Sequence, residues 1–237
     1  MLMLRELLKI IGSGNPLEAL GERFARMLQL TLDMTLRAGA GYFGQAKSAE
    51  DRTHLYKDDV QVNKLERSIR KRVVAHLSLP GNNADVPYCL LLMSLVKDVE
   101  RLGDYAKNLS EVEDIRSGAL PEDEIVQELS EIRQGVEEAF RGATEIFGTS
   151  DAERAIELIR QGRDLAHRSD SLVLRIARGD YDAATVAALV LGTRYYKRIG
   201  GHVLNILSSV VMPLHKIDYY DEDEIPESAG MATAEAE

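Results

Sequence analysis

The chain has 237 residues, a formal net charge of −10, 45% hydrophobic and 29% charged residues, and a single cysteine. That size holds one large core or two small domains, and the acidic balance argues against nucleic acid or anionic lipid as partners, because their phosphates need a basic footprint. One cysteine excludes an internal disulfide and any Cys-x-x-Cys site, and no apolar run is long enough to span a bilayer.

The first segment, residues 1–12, reads as a short leading helix (about 2–11) closed by Gly12-Ser13-Gly14. It is too short and too charged, with Arg5, Glu6 and Lys9, for a secretory signal, so a cytoplasmic location is expected. Six long helices follow, near 17–42, 49–79, 84–116, 122–147, 151–178 and 182–212. These stretches are poor in proline, rich in Leu, Ala, Glu, Arg and Ile, and carry apolar residues at three and four, as in Leu20, Phe24, Met27, Leu28, Leu32 and Leu36. Asp151 and Asp180 or Asp182 are expected caps, and Pro121 suits a helix start. Cys89, in the run Cys89-Leu90-Leu91-Leu92-Met93, is expected to be a buried small hydrophobe. The last segment, 217–237, carries Asp221-Glu222-Asp223-Glu224 and Pro226 and reads as a disordered acidic tail.

The six helices divide into two triplets, residues 17–117 and 121–216. Gly103 and Gly200 stand 97 residues apart, as do Arg101 and Arg198, Asn108 and Asn205, and Asp85 and Asp182; Phe43-Gly44 and Phe147-Gly148 stand 104 apart. The second copy is therefore about seven residues shorter, a loss expected in the loop between its second and third helices. The fold class is all-α: two tandem three-helix bundles with a short extra helix in front.

The chemistry concentrates in the third helix. Glu100 and Asp104 lie four apart, on one helical face, where two like charges destabilise the helix slightly unless a cation offsets them. Asp59, Asn63 and Glu66 share a face of the second helix. If the two helices are antiparallel neighbours, five oxygen-bearing side chains converge, a set that suits magnesium, manganese, calcium or iron rather than structural zinc. Gly103 adds to this, since a mid-helix glycine costs about 1 kcal/mol against alanine and signals close approach or function. The competing reading is a solvated acidic face.

In the second triplet the register turns Glu100 into Lys197, Asp104 into Gly201, and Asp59, Asn63 and Glu66 into Arg163, His167 and Asp170. A metal site there is lost, or is rebuilt from His167, Asp170 and His202. Lys197, Arg198, Arg163 and Arg194 form a basic strip that pairs with the protein's own acids, holds an anion or meets a partner.

The stretch Asp98-Val99-Glu100-Arg101-Leu102-Gly103-Asp104-Tyr105-Ala106-Lys107-Asn108 closely resembles the signature helix of the PhoU family of phosphate-uptake regulators. Asp59, Asn63 and Glu66 resemble the family's preceding helix, and Asp85 an Asp near the start of its third. Tyr196-Lys197-Arg198-Ile199-Gly200-Gly201-His202-Val203-Leu204-Asn205 looks like a second signature with both ligand positions replaced. The resemblance implies two symmetric three-helix bundles and a multinuclear metal cluster of iron or zinc, with magnesium, manganese, calcium and nickel left open. It also implies a negative regulator of the phosphate-starvation response, partnered by a phosphate ABC transporter and a sensor histidine kinase, and a homodimer. Alternatives are a metal-free helical adaptor or dimerisation module, or an accessory subunit of another phosphate transporter. A di-iron enzyme is disfavoured because no Glu-x-x-His occurs.

Overall fold

A computed structural model describes residues 16–45, 49–115 and 118–218. The leading helix and residues 219–237 of the acidic tail lie outside the described residues. Six helices run in order: α1 (Pro16–Tyr42), α2 (Ala49–Leu77), α3 (Val86–Glu111), α4 (Glu124–Thr149), α5 (Ala152–Ala177) and α6 (Ala183–Val211). Short 3-10 turns precede and follow α3, at Asn82–Asp85 and Val112–Asp114, and another, Leu214–Lys216, follows α6. Among the described residues there is no strand.

Within each triplet the three helices pack on one another, and the triplets join through α3 against α6 and α1 against α4. Helices α2 and α5 therefore flank a central four-helix layer. The apolar stripes explain this. In α1, Leu20, Phe24, Met27, Leu28 and Leu32 are all buried, and α6 buries Leu189, Tyr196, Ile199, Val203 and Leu207. Together they form one hydrophobic core that runs through both triplets. Three threonines inside it bond within their own helix: Thr31 Oγ1 donates to the Leu28 carbonyl (2.9 Å), Thr35 Oγ1 to that of Thr31 (2.9 Å) and Thr193 Oγ1 to that of Leu189 (2.8 Å). Cys89 is fully buried, as expected, and burial, then the Asp85 charge, pushes its thiol up to about 11.

Three aspartates start the second triplet's helices. Asp151 accepts the Arg154 N–H (3.0 Å), and Asp182 accepts those of Ala184 (2.9 Å) and Thr185 (3.0 Å). At α4 the cap is Asp123, which accepts the Val126 N–H at 3.0 Å, so the helix starts two residues later than the position after Pro121 had suggested. Tyr181 Oη also donates to Asp123, at 2.5 Å, tying the α5–α6 turn to the start of α4. Burial opposes the Asp123 charge, but hydrogen bonds from Tyr181 and the backbone outweigh it and hold the carboxyl below the ordinary carboxylate value. Asp123→Ala is expected to cost about 1 kcal/mol. Because the folded value is depressed, this stability is present above the unfolded carboxyl value, about 3.9. It is lost as pH falls through the folded value. The gap between wild-type and variant urea midpoints should therefore shrink on acidification from neutral pH.

Two further boundary expectations are corrected. The second triplet's missing residues do not all come from a loop: α2 has 29 residues and its counterpart α5 has 26, while the linker shortens from 78–85 to 178–182. The acidic tail does not begin at 217. Ile217 is buried in the core, and the Asp218 N–H donates to Ser208 Oγ at 3.4 Å, so the packed chain extends to 218.

Candidate functional site

Helices α2 and α3 are antiparallel. Lys107 Nζ of α3 lies 3.2 Å from Asp59 of α2, and a Cβ on Gly103 would lie 3.5 Å from Val62. That register sets Asn63 opposite Gly103 and Glu66 opposite Glu100, so the five expected residues share one strip. The side chains of Glu66, Asp59 and Glu100 are 11%, 13% and 13% exposed and that of Asp104 27%, which rules out a freely solvated face. Gly103 is not forced by packing: its nearest neighbours, Thr31 and Val62, lie 3.5 Å from a modest added methyl, an ordinary contact.

Each carboxylate is met by a cation of the chain. Glu100 is held by Lys97 (2.6 Å) and approached by Arg101 (3.8 Å); Asp104 by Arg101 (3.3 Å) and Lys107 (3.6 Å); Glu66 by Arg70 (3.0 Å). Lys107 matters most, because its ammonium bridges carboxylates from two helices, Asp59 and Asp104. Burial opposes its charge, but the hydrogen bond to Asp59 and the charges of Asp59, Asp104 and Glu111 prevail and raise it above the ordinary lysine value. Asp59 and Asp104 thus already converge on a bound positive charge, and oxygen donors so placed fit a cation. Glu66 and Glu100 do not join them: among the described residues no three His, Cys, Asp or Glu side chains form a group that could hold a metal ion.

The second triplet carries the same positions with the opposite chemistry. Arg163, His167 and Asp170 of α5 and Lys197 and Gly201 of α6 all line one cleft of about 200 Å³, floored by Val136, Tyr196 and Leu204. The internal register thus locates a real concavity. A second cleft of about 300 Å³ adjoins it through Lys197 and Gly201 and adds Arg194, Arg198, His202 and Asn205. Two of the four basic residues pair with Asp170. Asp170 Oδ1 accepts from Arg194 NH1 at 3.1 Å, and its Oδ2 accepts from Lys197 Nζ. Arg198 is exposed and has no ion-pair partner among the described residues. His202 stands apart from His167 and Asp170, with its ring turned to Asp98, and does not rebuild a metal group with them.

One polar cluster escaped sequence reasoning. Asp98 of α3, 11% exposed at its side chain, accepts from His202 Nδ1 (2.8 Å) and Asn205 Nδ2 (2.8 Å) of α6, so it clamps the triplets together. Tyr105 stacks on the His202 ring with centroids 5.7 Å apart. Asp218 sits nearby, and its carboxyl is raised by burial and the Asp98 charge against the opposing pull of His202. Asp98 lies within the signature helix, and Asn205 was matched to Asn108 across the repeat, but spacing alone could not pair residues 107 positions apart.

The fold and these faces define a class: an all-helical protein of two fused three-helix repeats, with a carboxylate strip on the first and a basic cleft on the second. Residues 24–112, most of the first triplet, match the PhoU domain. Over more than four fifths of its length the chain shares the fold of PhoU crystal structures. The phosphate transport system regulatory protein PhoU from Streptococcus pneumoniae aligns with a TM-score of 0.72 and 18% identity, over 82% of this chain and 93% of that one. PhoU from Pseudomonas aeruginosa aligns with a TM-score of 0.75 and 18% identity, over 84% and 97%. No curated protein sequence matches. No described helix is long and apolar enough to cross a membrane.

Proposed function

We propose that this chain is a cytoplasmic, non-catalytic regulator of phosphate transport. It restrains the phosphate-starvation response by contact with a phosphate ABC transporter and a sensor histidine kinase. The observation that carries this reading is the PhoU-domain match over the triplet that holds the carboxylate strip, within a fold shared with a phosphate transport system regulatory protein. Capture of the tagged full chain from phosphate-replete and phosphate-starved cells tests it. A transporter or kinase component should be recovered, more from one condition than the other. Recovery of neither would overturn the reading in favour of a plain helical adaptor.

A metal ion is the finer part of the proposal. The support is Lys107, whose ammonium occupies the point between Asp59 and Asp104 where a cation is wanted. A metal taken up here starts from Asp59 and Asp104; Asn63, Glu66 and Glu100 of the same strip join it only by turning inward, and Lys107, Lys97, Arg101 and Arg70 must release their carboxylates. Lys97 and Arg101 are 44% and 48% exposed at their side chains, so they turn to water at small cost. Two variants read this in opposite directions. Glu100→Ala with Asp104→Ala should abolish the metal content of untagged protein, whereas Lys107→Met should raise uptake of added iron or zinc. Unchanged metal content in both would remove the site.

A further inference from the structure

The carboxylate strip between α2 and α3 and the cleft between α5 and α6 occupy matching positions in the repeat, and their charges are inverted. In the first, an ammonium from the chain sits between carboxylates. In the second, the Asp170 carboxylate sits between Arg194 and Lys197. We infer that the groove between α5 and α6 is a binding site for a small oxyanion such as phosphate, for which the Asp170 carboxylate is the resident substitute.

Three observations support this. First, the two adjoining clefts are lined by Arg163, Arg194, Lys197 and Arg198 against one carboxylate, Asp170, in a chain whose formal charge is −10. Such a local reversal is a focused positive potential. Asn205 and His202 add polar groups at the far end, with His202 turned toward Asp98. Second, Asp170 is 51% exposed at its side chain, so it can rotate into water and leave the Arg194 and Lys197 donors to an incoming oxyanion. Arginine and lysine side by side are the usual pairing for oxyanion oxygens, the fork giving geometry and the ammonium charge. Third, the glycine pair in α6 is not explained by packing. A Cβ on Gly201 would meet nothing within 4 Å, and one on Gly200 only Val136 Cγ2 at 3.4 Å. Each mid-helix glycine carries a helix-propensity cost, and here the return is an open floor directly beside Lys197. Any side chain at 201 would project into the shared edge of both clefts.

The inference is tested by calorimetric titration of the metal-stripped full chain with inorganic phosphate, sulfate and phenyl phosphate at low ionic strength. An oxyanion should bind, and added chloride should weaken it by screening. Lys197→Met should weaken it about tenfold or more, the value of one charge-assisted hydrogen bond. Asp170→Asn should tighten it about threefold or more by removing the competing like charge; a gain of this kind cannot come from misfolding. Gly201→Leu should block it. Stronger binding of phenyl phosphate would assign the site to a phosphorylated partner, and stronger binding of inorganic phosphate to the free ion. Choosing phosphate among oxyanions rests on the proposed place in phosphate transport; the groove does not. Sulfate held as well as phosphate, with the same response to the variants, supports the site and counts against that choice. No oxyanion binding, or binding indifferent to Lys197→Met and Asp170→Asn, overturns the inference. Binding lost instead in Glu100→Ala with Asp104→Ala would place the anion on the carboxylate strip and overturn it as well.

Discussion

Replacing Phe24 with alanine is expected to lower the unfolding free energy of the whole chain by about 4 kcal/mol. Phe24 is fully buried in α1, and its ring lies 4.5 Å, centroid to centroid, from Phe147 of α4. The two rings therefore pack across the join between the triplets, and truncation removes both the transfer of the ring from water and its contact with Phe147. The shape of the transition is as informative as its position. One hydrophobic core runs through both triplets, so wild type and Phe24→Ala should each unfold in one step, the variant at lower denaturant. A second step that stays at the wild-type midpoint in the variant would show that the repeats unfold separately.

Glu137→Ala should be nearly as damaging, at about 3 kcal/mol. Glu137 of α4 is 8% exposed at its side chain and accepts from Arg133 Nε at 2.7 Å; Arg133 is itself 12% exposed. The same guanidinium donates to Gln45 Oε1 at 3.0 Å and lies 5.0 Å over the Phe43 ring, at the C-terminal end of α1. Removing the carboxylate leaves Arg133 buried with a neutral amide and a ring but no counter-charge. The position is also closely packed: a Cβ on Gly39 would lie 2.5 Å from Tyr196 Oη and 2.9 Å from Glu137 Oε1, so the absence of a side chain at 39 lets both groups approach α1. The chemical prediction is non-additivity. Arg133→Met combined with Glu137→Leu should recover much of the loss, because a buried pair replaced by apolar side chains is often neutral while half a pair is not. A double variant no more stable in urea than Glu137→Ala would mean that packing, not the stranded charge, sets the cost.

The carboxylate strip shows why a charge count is a poor guide to a site. Spacing put Glu100 and Asp104 on one face, and the helix period alone accounts for that. Lys97, Arg101 and Lys107 lie three positions from one or other of those carboxylates, so the pattern that gathers the acids also supplies their counter-charges. Whether a metal or a lysine holds Asp59 and Asp104 is settled by which cation gains more from the two carboxylates than it loses in hydration, and that depends on burial across two helices.

Helix content, the caps of α5 and α6 and the duplication were legible because they rest on local rules, whereas the third helix, expected to 116, ends at Glu111 in a 3-10 turn. Apolar residues at three and four, aspartates that cap α5 and α6, and a repeat offset all act within one helix or along one line of sequence. The matching of Asp59, Asn63, Glu66, Glu100 and Asp104 to Arg163, His167, Asp170, Lys197 and Gly201 also came from the order of residues, and the second set lines one cleft. Contacts across the join were a different matter. Asp98 with His202 and Asn205, Phe24 with Phe147, and Arg133 with Gln45 each link residues on different helices. No periodicity within a helix encodes how far two helices slide or rotate against each other, because that is set by the summed packing of their whole faces. Local physics therefore determined which residues each helix presents. Only the docking of α1 on α4 and α3 on α6 decided that the two repeats share one core, and only the packing of α5 on α6 decided that the basic set lines a cleft.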